Sequence, residues 1–494
     1  MMLRKIRISL ATVCFVAVTL LLLDFTGATH LWLGWIAKAQ FLPAVLALNV
    51  VVIVALLLLT LVFGRVYCSV ICPLGVMQDG ISWLHGKRKK NRFTYSPAKS
   101  ALRYTLLAAM VAGVALGIGS IVTLLSPYGT YGAIVTNLLQ PLYLCANNAL
   151  AAIAAHYGSY AFYSVDVWIK SVPVLVFSIA LLAVIGTMAW RGGRTYCNTI
   201  CPVGTLLGLV ARLSWLKVTL DADKCRNCGL CAKNCKASCI DLKNHRIDYS
   251  RCVACGNCLD QCHFDALRYA HSTSKPSEPT ADNQPADTTR RAILVGAAIV
   301  GADAAMAGLK KVDGGLTVLA DRVTPARHTT PCPPGALSVA NLEHRCVGCQ
   351  LCISKCPNGV LRPSSDPMRL MQPVMDFDRG FCRPECTTCS SVCPSGAIQP
   401  ISVAQKSSTQ IGHAVWRKKY CVALADEVDC GNCARHCPSG AIQMVPSDPA
   451  DDTSIEIPVV NTEKCIGCGA CEYVCPARPH SAIYVEGHEV HKTL

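Results

Sequence analysis

Charge is scarce in this chain of 494 residues: only 16% are Asp, Glu, Lys or Arg, against 52% hydrophobic. That shortage, with a mean hydropathy of +0.36, excludes a wholly soluble protein and puts part of the chain in lipid. Also missing are a haem-attachment Cys-x2-Cys-His, a phosphate-binding glycine-rich loop and a nucleophile elbow. Their absence favours an electron-transfer subunit over a self-sufficient enzyme. The net charge of +15 is a weak argument for nucleic acid, because basic residues flank apolar runs, as at Lys87, Arg88, Lys89 and Lys90. No nucleic-acid partner is expected.

Cysteine, by contrast, is abundant, with 32 in the chain. Disulfides, zinc and iron-sulfur clusters all use cysteine, and spacing separates them. Six groups of four take up 24 of the 32. The first two are Cys225, Cys228, Cys231, Cys235 and Cys252, Cys255, Cys258, Cys262. Both read C-x2-C-x2-C-x3-C, in which three close thiolates wrap three corners of a [4Fe-4S] cubane and the fourth reaches the neighbouring cluster. Cross-ligation follows as the expectation, with Cys262 completing the first cluster and Cys235 the second. A zinc site needs only two close pairs. Neither group ends in the usual proline, since Lys236 and His263 follow, and Cys239 could replace Cys235.

Four further groups stand near the C-terminus, each closed by a proline. They are Cys346, Cys349, Cys352, Cys356; Cys382, Cys386, Cys389, Cys393; Cys421, Cys430, Cys433, Cys437; and Cys465, Cys468, Cys471, Cys475. The second and third carry longer first gaps, so their clusters are wrapped with an added loop. Six [4Fe-4S] clusters are expected in all. Four other thiols lie in an internal repeat, Gly-Arg-Val-Tyr-Cys-Ser-Val-Ile-Cys-Pro-Leu-Gly at 64–75 and Gly-Arg-Thr-Tyr-Cys-Asn-Thr-Ile-Cys-Pro-Val-Gly at 193–204. Cys68, Cys72, Cys197 and Cys201 either meet as redox thiols or a cofactor site, or are small buried packing residues. Cys14, Cys145 and Cys332 read as structural.

Apolar stretches near 8–23, 41–63, 104–125 and 172–190 are long enough to cross a ~30 Å hydrocarbon layer. The stretch 133–155 is broken by Asn137, Gln140, Pro141, Asn147 and Asn148 and reads as re-entrant or surface-lying. Arg4, Lys5, Arg7, the Lys87–Lys90 run, Arg191 and Arg194 place both Cys-Pro repeats on the cytoplasmic face. The expected organisation is a membrane domain at 1–215 and a two-cluster ferredoxin domain at 216–270. A flexible linker at 271–289, a twin-arginine-like signal or anchor helix at 290–308 beginning at Arg290 and Arg291, and a four-cluster ferredoxin-like domain at 309–494 follow. The fold class is thus an α-helical membrane bundle of four spans, with a fifth at 290–308, joined to α+β ferredoxin-like domains. An ordinary stop charge before the fifth helix is the alternative reading of the arginines.

The first 270 residues resemble the NapH/MauN family of membrane ferredoxin-type proteins, through the doubled Gly-Arg-x-Tyr-Cys-x3-Cys-Pro-x-Gly and the two-cluster tail. From Thr289 onward the chain resembles a NapG-type subunit, through its twin arginines, Pro333-Pro334-Gly335-Ala336 and four cluster motifs. The resemblance implies a protein of the bacterial cytoplasmic membrane that passes electrons from the quinol pool toward a periplasmic reductase of the nitrate-reductase type. The two-cluster domain would lie in the cytoplasm and the C-terminal domain in the periplasm. It also implies that the last four groups pair first with fourth and second with third, Cys475 exchanging with Cys356 and Cys437 with Cys393. An assembly factor that keeps a partner's metal centre or thiols reduced is the alternative function.

Export would leave a ~30 Å apolar layer between the two sets of clusters. Quinone is the expected intermediary; a redox centre on the four Cys-Pro thiols, or a C-terminal domain that never crosses, are the alternatives. His30, His156, Asp24 and Asp166, near the expected outer helix ends, are weaker candidates for contact with quinone.

Overall fold

The computed structural model describes residues 2–88, 93–271, 322–451 and 454–494. The expected linker and the twin-arginine-like segment lie outside the described residues, as do Lys89 and Lys90.

The N-terminal part is helical. Its elements are α1 (Met2–Leu23), α2 (Ala28–Lys38), α3 (Phe41–Leu46), α4 (Val50–Phe63), α5 (Val66–Val70), α6 (Pro73–Arg88), α7 (Ser100–Leu116) and α8 (Gly119–Leu125). They are followed by α9 (Pro127–His156), α10 (Val172–Gly192), α11 (Thr195–Thr199) and α12 (Pro202–Ala211). Among the described residues three helices are long and apolar enough to cross a membrane: Leu3–Leu23, Pro127–His156 and Val172–Gly192. Large apolar side chains stay exposed along this part, for instance Val13 (65%), Val51 (79%) and Val111 (63%), as expected of a surface that faces lipid.

Three of the expected apolar segments come out differently. The 41–63 stretch is two helices, because Leu48 takes a positive φ of 54° and the Asn49 side chain caps the Val52 amide. The 104–125 stretch breaks at Gly117, whose left-handed φ of 73° ends α7. The 133–155 stretch, read as re-entrant or surface-lying, instead belongs to α9, 30 residues long. Its polar residues find partners without breaking the helix: Asn137 donates to Ser178 and Gln350, Gln140 to Ser354, and Asn148 to Val165. A π-helical segment at Val135–Leu139 precedes Pro141 and widens the ladder where proline offers no N–H.

The ferredoxin parts repeat one plan. Strand β1 (Leu216–Leu220) pairs antiparallel with β4 (Leu267–His271), closing the ends of the first module, while β2 (Ile240–Asp241) and β3 (Arg246–Ile247) form a hairpin between its two cysteine groups. In the C-terminal part β7 (Thr409–Trp416) pairs with β10 (Ile483–Thr493) around an inner hairpin of β8 (Ile442–Pro446) and β9 (Glu456–Val460). A third hairpin, β5 (Leu361–Pro363) with β6 (Pro373–Met375), lies between the first two groups of that part.

The two ferredoxin parts engage opposite ends of α1, a helix of 22 residues and therefore ~33 Å long. Near its start Arg4 pairs with Asp260 at 3.1 Å. Just past its end Asp24 pairs with Lys355. The four-cluster part also packs along α9, where an added Cβ at Gly129 or Gly132 would overlap the carbonyl oxygens of Val347 and Cys349.

Candidate iron-sulfur sites

In the two-cluster module one cavity is lined by Cys225, Cys228, Cys231 and Cys262, the expected cross-ligated set. Backbone geometry makes this arrangement: Gly229 at φ 77° turns the loop into the short Leu230–Lys233 helix, which carries Cys231 inward. A second cavity is lined by five thiols, Cys235, Cys239, Cys252, Cys255 and Cys258. Cys235 Sγ lies 3.5 Å from Cys239 Sγ, and Cys239 is also within hydrogen-bond reach of Cys252. A cubane takes four thiolates, so one of the five is spare. Serine at Cys235 alone, or at Cys239 alone, is therefore expected to leave this cluster in place. Serine at both removes about four iron per chain. Iron analysis of the three variants checks it, and loss in the Cys239→Ser protein alone would assign that residue as the ligand.

In the C-terminal part the pairing implied by the resemblance is overturned. Cys356 shares a cavity with Cys382, Cys386 and Cys389, and Cys393 lies within Coulombic reach of Cys346, Cys349 and Cys352. Likewise Cys475 neighbours Cys433 beside Cys421 and Cys430, and Cys437 neighbours Cys465 and Cys468. First therefore pairs with second, and third with fourth. The reason is local: the β5–β6 hairpin folds the second group back on the first, and β8–β9 does the same for the fourth and third. Cys471, the remaining thiol of the last group, is buried beside Cys468 and Cys465.

Four thiols lining one cavity, as at Cys225, Cys228, Cys231 and Cys262, are the donor set of a [4Fe-4S] centre. Bound there, a cluster would supply one-electron transfer, with its potential set by hydrogen bonds to sulfur, charge and exposure. The chain supplies such bonds: the Ala441 amide donates to Cys437 Sγ at 3.3 Å, Ala482 to Cys475 Sγ at 3.3 Å and Ile398 to Cys393 Sγ at 3.5 Å.

Cys68, Cys72, Cys197 and Cys201 do meet. All four are buried, at 4–5% exposure, and Cys201 is within Coulombic reach of the other three. Arg194 counted in the sequence only as a cytoplasmic-side charge, and Arg65 had no assigned role. Arg65 and Arg194 are fully buried. Each crosses to the other copy: Arg65 Nη2 donates to the Cys197 carbonyl at 3.2 Å and Arg194 Nη1 to the Cys68 carbonyl. The Gly-Arg pair at the head of each repeat was the available signal. Asp79 was missed as well. Its carboxylate joins Arg194 at 2.6 Å, Lys236 at 2.6 Å and Arg7 at 3.2 Å, tying α1, α6 and the second repeat to the two-cluster module. Burial pushes the Asp79 carboxyl up, but Arg194 and Lys236 outweigh it and hold it well below the usual carboxylate range.

Of the outer candidates, Asp24 and His30 lie near one another beside Lys355. Asp24 is consumed by Lys355, Thr26 and Thr29. His30 packs over Gly34, while His156 meets Tyr157 edge to face and Asp166 is exposed. Cys332 is buried beside His491, 3.1 Å away.

Comparison with known proteins agrees with this chemistry. A family model described as a 4Fe-4S binding domain matches residues 45–92 and 172–220, one match on each Cys-Pro repeat. A 4Fe-4S dicluster domain matches 345–412, which holds the first two groups, and 428–478, which holds the last two apart from Cys421. YccM of Escherichia coli is 27% identical over 241 residues, 48% of this chain and 59% of that protein. The methylamine utilization ferredoxin-type protein MauN of Paracoccus denitrificans is 27% identical over 226 residues, 46% of this chain and 64% of its own. The ferredoxin-type protein NapH of Escherichia coli is 27% identical over 234 residues, 46% and 68%. The chain thus spans about three fifths to two thirds of these three relatives. With its apolar helices and 4Fe-4S domains, it is a homologue, over about half its length, of the NapH/MauN-type ferredoxin-type membrane electron-transport proteins.

Proposed function

We propose that this protein carries electrons from one side of the bacterial cytoplasmic membrane to the other, from the quinol pool toward a periplasmic reductase of the nitrate-reductase type. Six [4Fe-4S] clusters, held by the cysteine groups described above, are part of the proposal. The observation that carries it is the placement of the two ferredoxin parts at opposite ends of α1, through Arg4–Asp260 and Asp24–Lys355. The basic residues Arg4, Arg7 and Arg194 gather at the two-cluster end, which supports a cytoplasmic position for that end. The four-cluster part then belongs to the periplasm, and residues 290–308 to the crossing. The chain's own work is spacing and tuning: hairpins pair the thiols and backbone amides donate to sulfur.

The test is sidedness. A reporter active only outside the cytoplasm, fused after Leu494, is expected to give signal, and Arg290→Lys with Arg291→Lys is expected to abolish it. Silence of the unaltered fusion, with a cytoplasmic reporter active at the same position, would overturn the reading and leave both ferredoxin parts inside.

A further inference from the structure

The four Cys-Pro thiols are surrounded by more positive charge than the protein neutralises. Arg194 has Asp79 as its counter-ion, but among the described residues no carboxylate pairs with the fully buried Arg65. Its hydrogen bonds go to Asn198, the Ser250 carbonyl, the Cys197 carbonyl and, at 3.7 Å, Cys68 Sγ, and its Nε has no partner. Nη2 of Arg194 is unpartnered as well. A buried cation needs compensating negative charge. Neutral thiols or a disulfide supply none; four thiolates around iron and sulfide do.

The sulfurs are also prepared to accept. Cys201 Sγ takes the Gly204 amide at 3.4 Å at the start of α12, and Cys197 Sγ takes Gln78 Nε2 at 3.3 Å. The dipole of α12 favours negative charge on Cys201 at its start.

We propose that Cys68, Cys72, Cys197 and Cys201 together ligate one iron-sulfur cluster, two thiolates from each repeat, which relays electrons between the two ferredoxin parts. It would be a seventh cluster in addition to the six proposed above, and its relay role rests on that proposed transfer. The match of a 4Fe-4S binding family to both repeats agrees with it. Position gives it the relay role. On one side Arg65 bridges from Cys68 to Ser250, two residues before Cys252, and Asn198 donates to the Ala237 carbonyl. On the other side Tyr196 lies near Thr130 of α9, its hydroxyl making no hydrogen bond, and Gly129 and Gly132 of that helix carry the Val347–Cys349 loop. One helix, ~10–12 Å across, thus replaces the ~30 Å gap that made quinone the expected intermediary. Each transfer moves one electron onto the centre from a neighbouring cluster and one off it to the other, with no bond broken and no proton required.

The full-length protein, purified without oxygen in detergent, tests it. The expected content is about 28 iron and about 28 acid-labile sulfide per chain, against about 24 for six cubanes. Serine at any of the four positions should remove about four of each and leave the other signals in Mössbauer and electron-paramagnetic-resonance spectra intact, while serine at the exposed Cys145 removes none. Six clusters' worth of iron in the unaltered protein, or four thiols that alkylate freely in the native state, would overturn the proposal. Iron content does not depend on which side the C-terminus faces, so failure here and failure of the sidedness experiment are separable.

Discussion

Alanine at Asp79 should cost about 3–5 kcal/mol, the range for removing one partner of a buried ion pair, and should release the two-cluster module from the helices. Three cations converge on this carboxylate, and two of them, Arg194 and Lys236, are themselves buried. Without Asp79 they face one another in a poorly solvated space. Hydrogen exchange in β1 and β4, and the denaturant midpoint of the module's visible absorption, would both report the loss. Alanine at Asp221, whose pair with Lys224 is about half exposed, serves as the reference and should cost under about 1 kcal/mol. Equal effects at the two positions would refute the argument.

The same carboxylate sets a pH dependence. Its folded pKa lies below its unfolded value, because Arg194 and Lys236 overcome the burial that alone would raise it. The unfolded chain therefore binds the proton more readily, and the stabilisation is complete above the ordinary carboxylate pKa of about 4. It is lost only as pH falls from there through the folded value. Attachment of the module should accordingly be flat through neutral pH and weaken only in strong acid.

Leucine at Gly129 or Gly132 should detach the four-cluster part from α9. The neighbours an added Cβ would strike are backbone carbonyls of Val347 and Cys349. That loop holds Cys346 and Cys349, so it cannot yield without disturbing two thiols of the first group. Overpacking of this kind costs roughly 1–3 kcal/mol, a fall of about 5- to 150-fold in docking. Reduction of the C-terminal clusters by an electron donor acting at the two-cluster end should slow, with iron content unchanged. Leucine at Gly158, which has nothing within 4 Å but a φ of +70°, controls for loop strain. Unaltered reduction in both glycine variants would mean that α9 is not the bridge.

Much of the chemistry is written in the sequence. The proposed ligation by the Cys225–Cys262 module depends on intervals of three or four residues, which a loop and one helical turn convert directly into three-dimensional spacing, and Cys262 lines one cavity with Cys225, Cys228 and Cys231. The arrangement in the C-terminal part was not legible in the same way. Four motifs of like spacing permit several pairings, and it is the β5–β6 and β8–β9 hairpins that select neighbours. The extent of α9 was hidden for a related reason. Asn137, Gln140 and Pro141 interrupt a hydropathy run, and only the contacts to Ser178, Gln350 and Ser354 show why the helix continues through them.

By itself, then, the sequence determined the six groups of clustered cysteines, the apolar helical character of the N-terminal part and the doubled Cys-Pro repeat, because each is a short-range pattern of composition or spacing. The tertiary structure alone decided three things: which cysteine groups share a cavity, that Arg65 and Arg194 cross between the repeats, and that the two ferredoxin parts meet opposite ends of α1. Those are contacts between residues more than a hundred positions apart or choices among equivalent motifs, where local spacing carries no information and packing, charge and backbone hydrogen bonds make the selection.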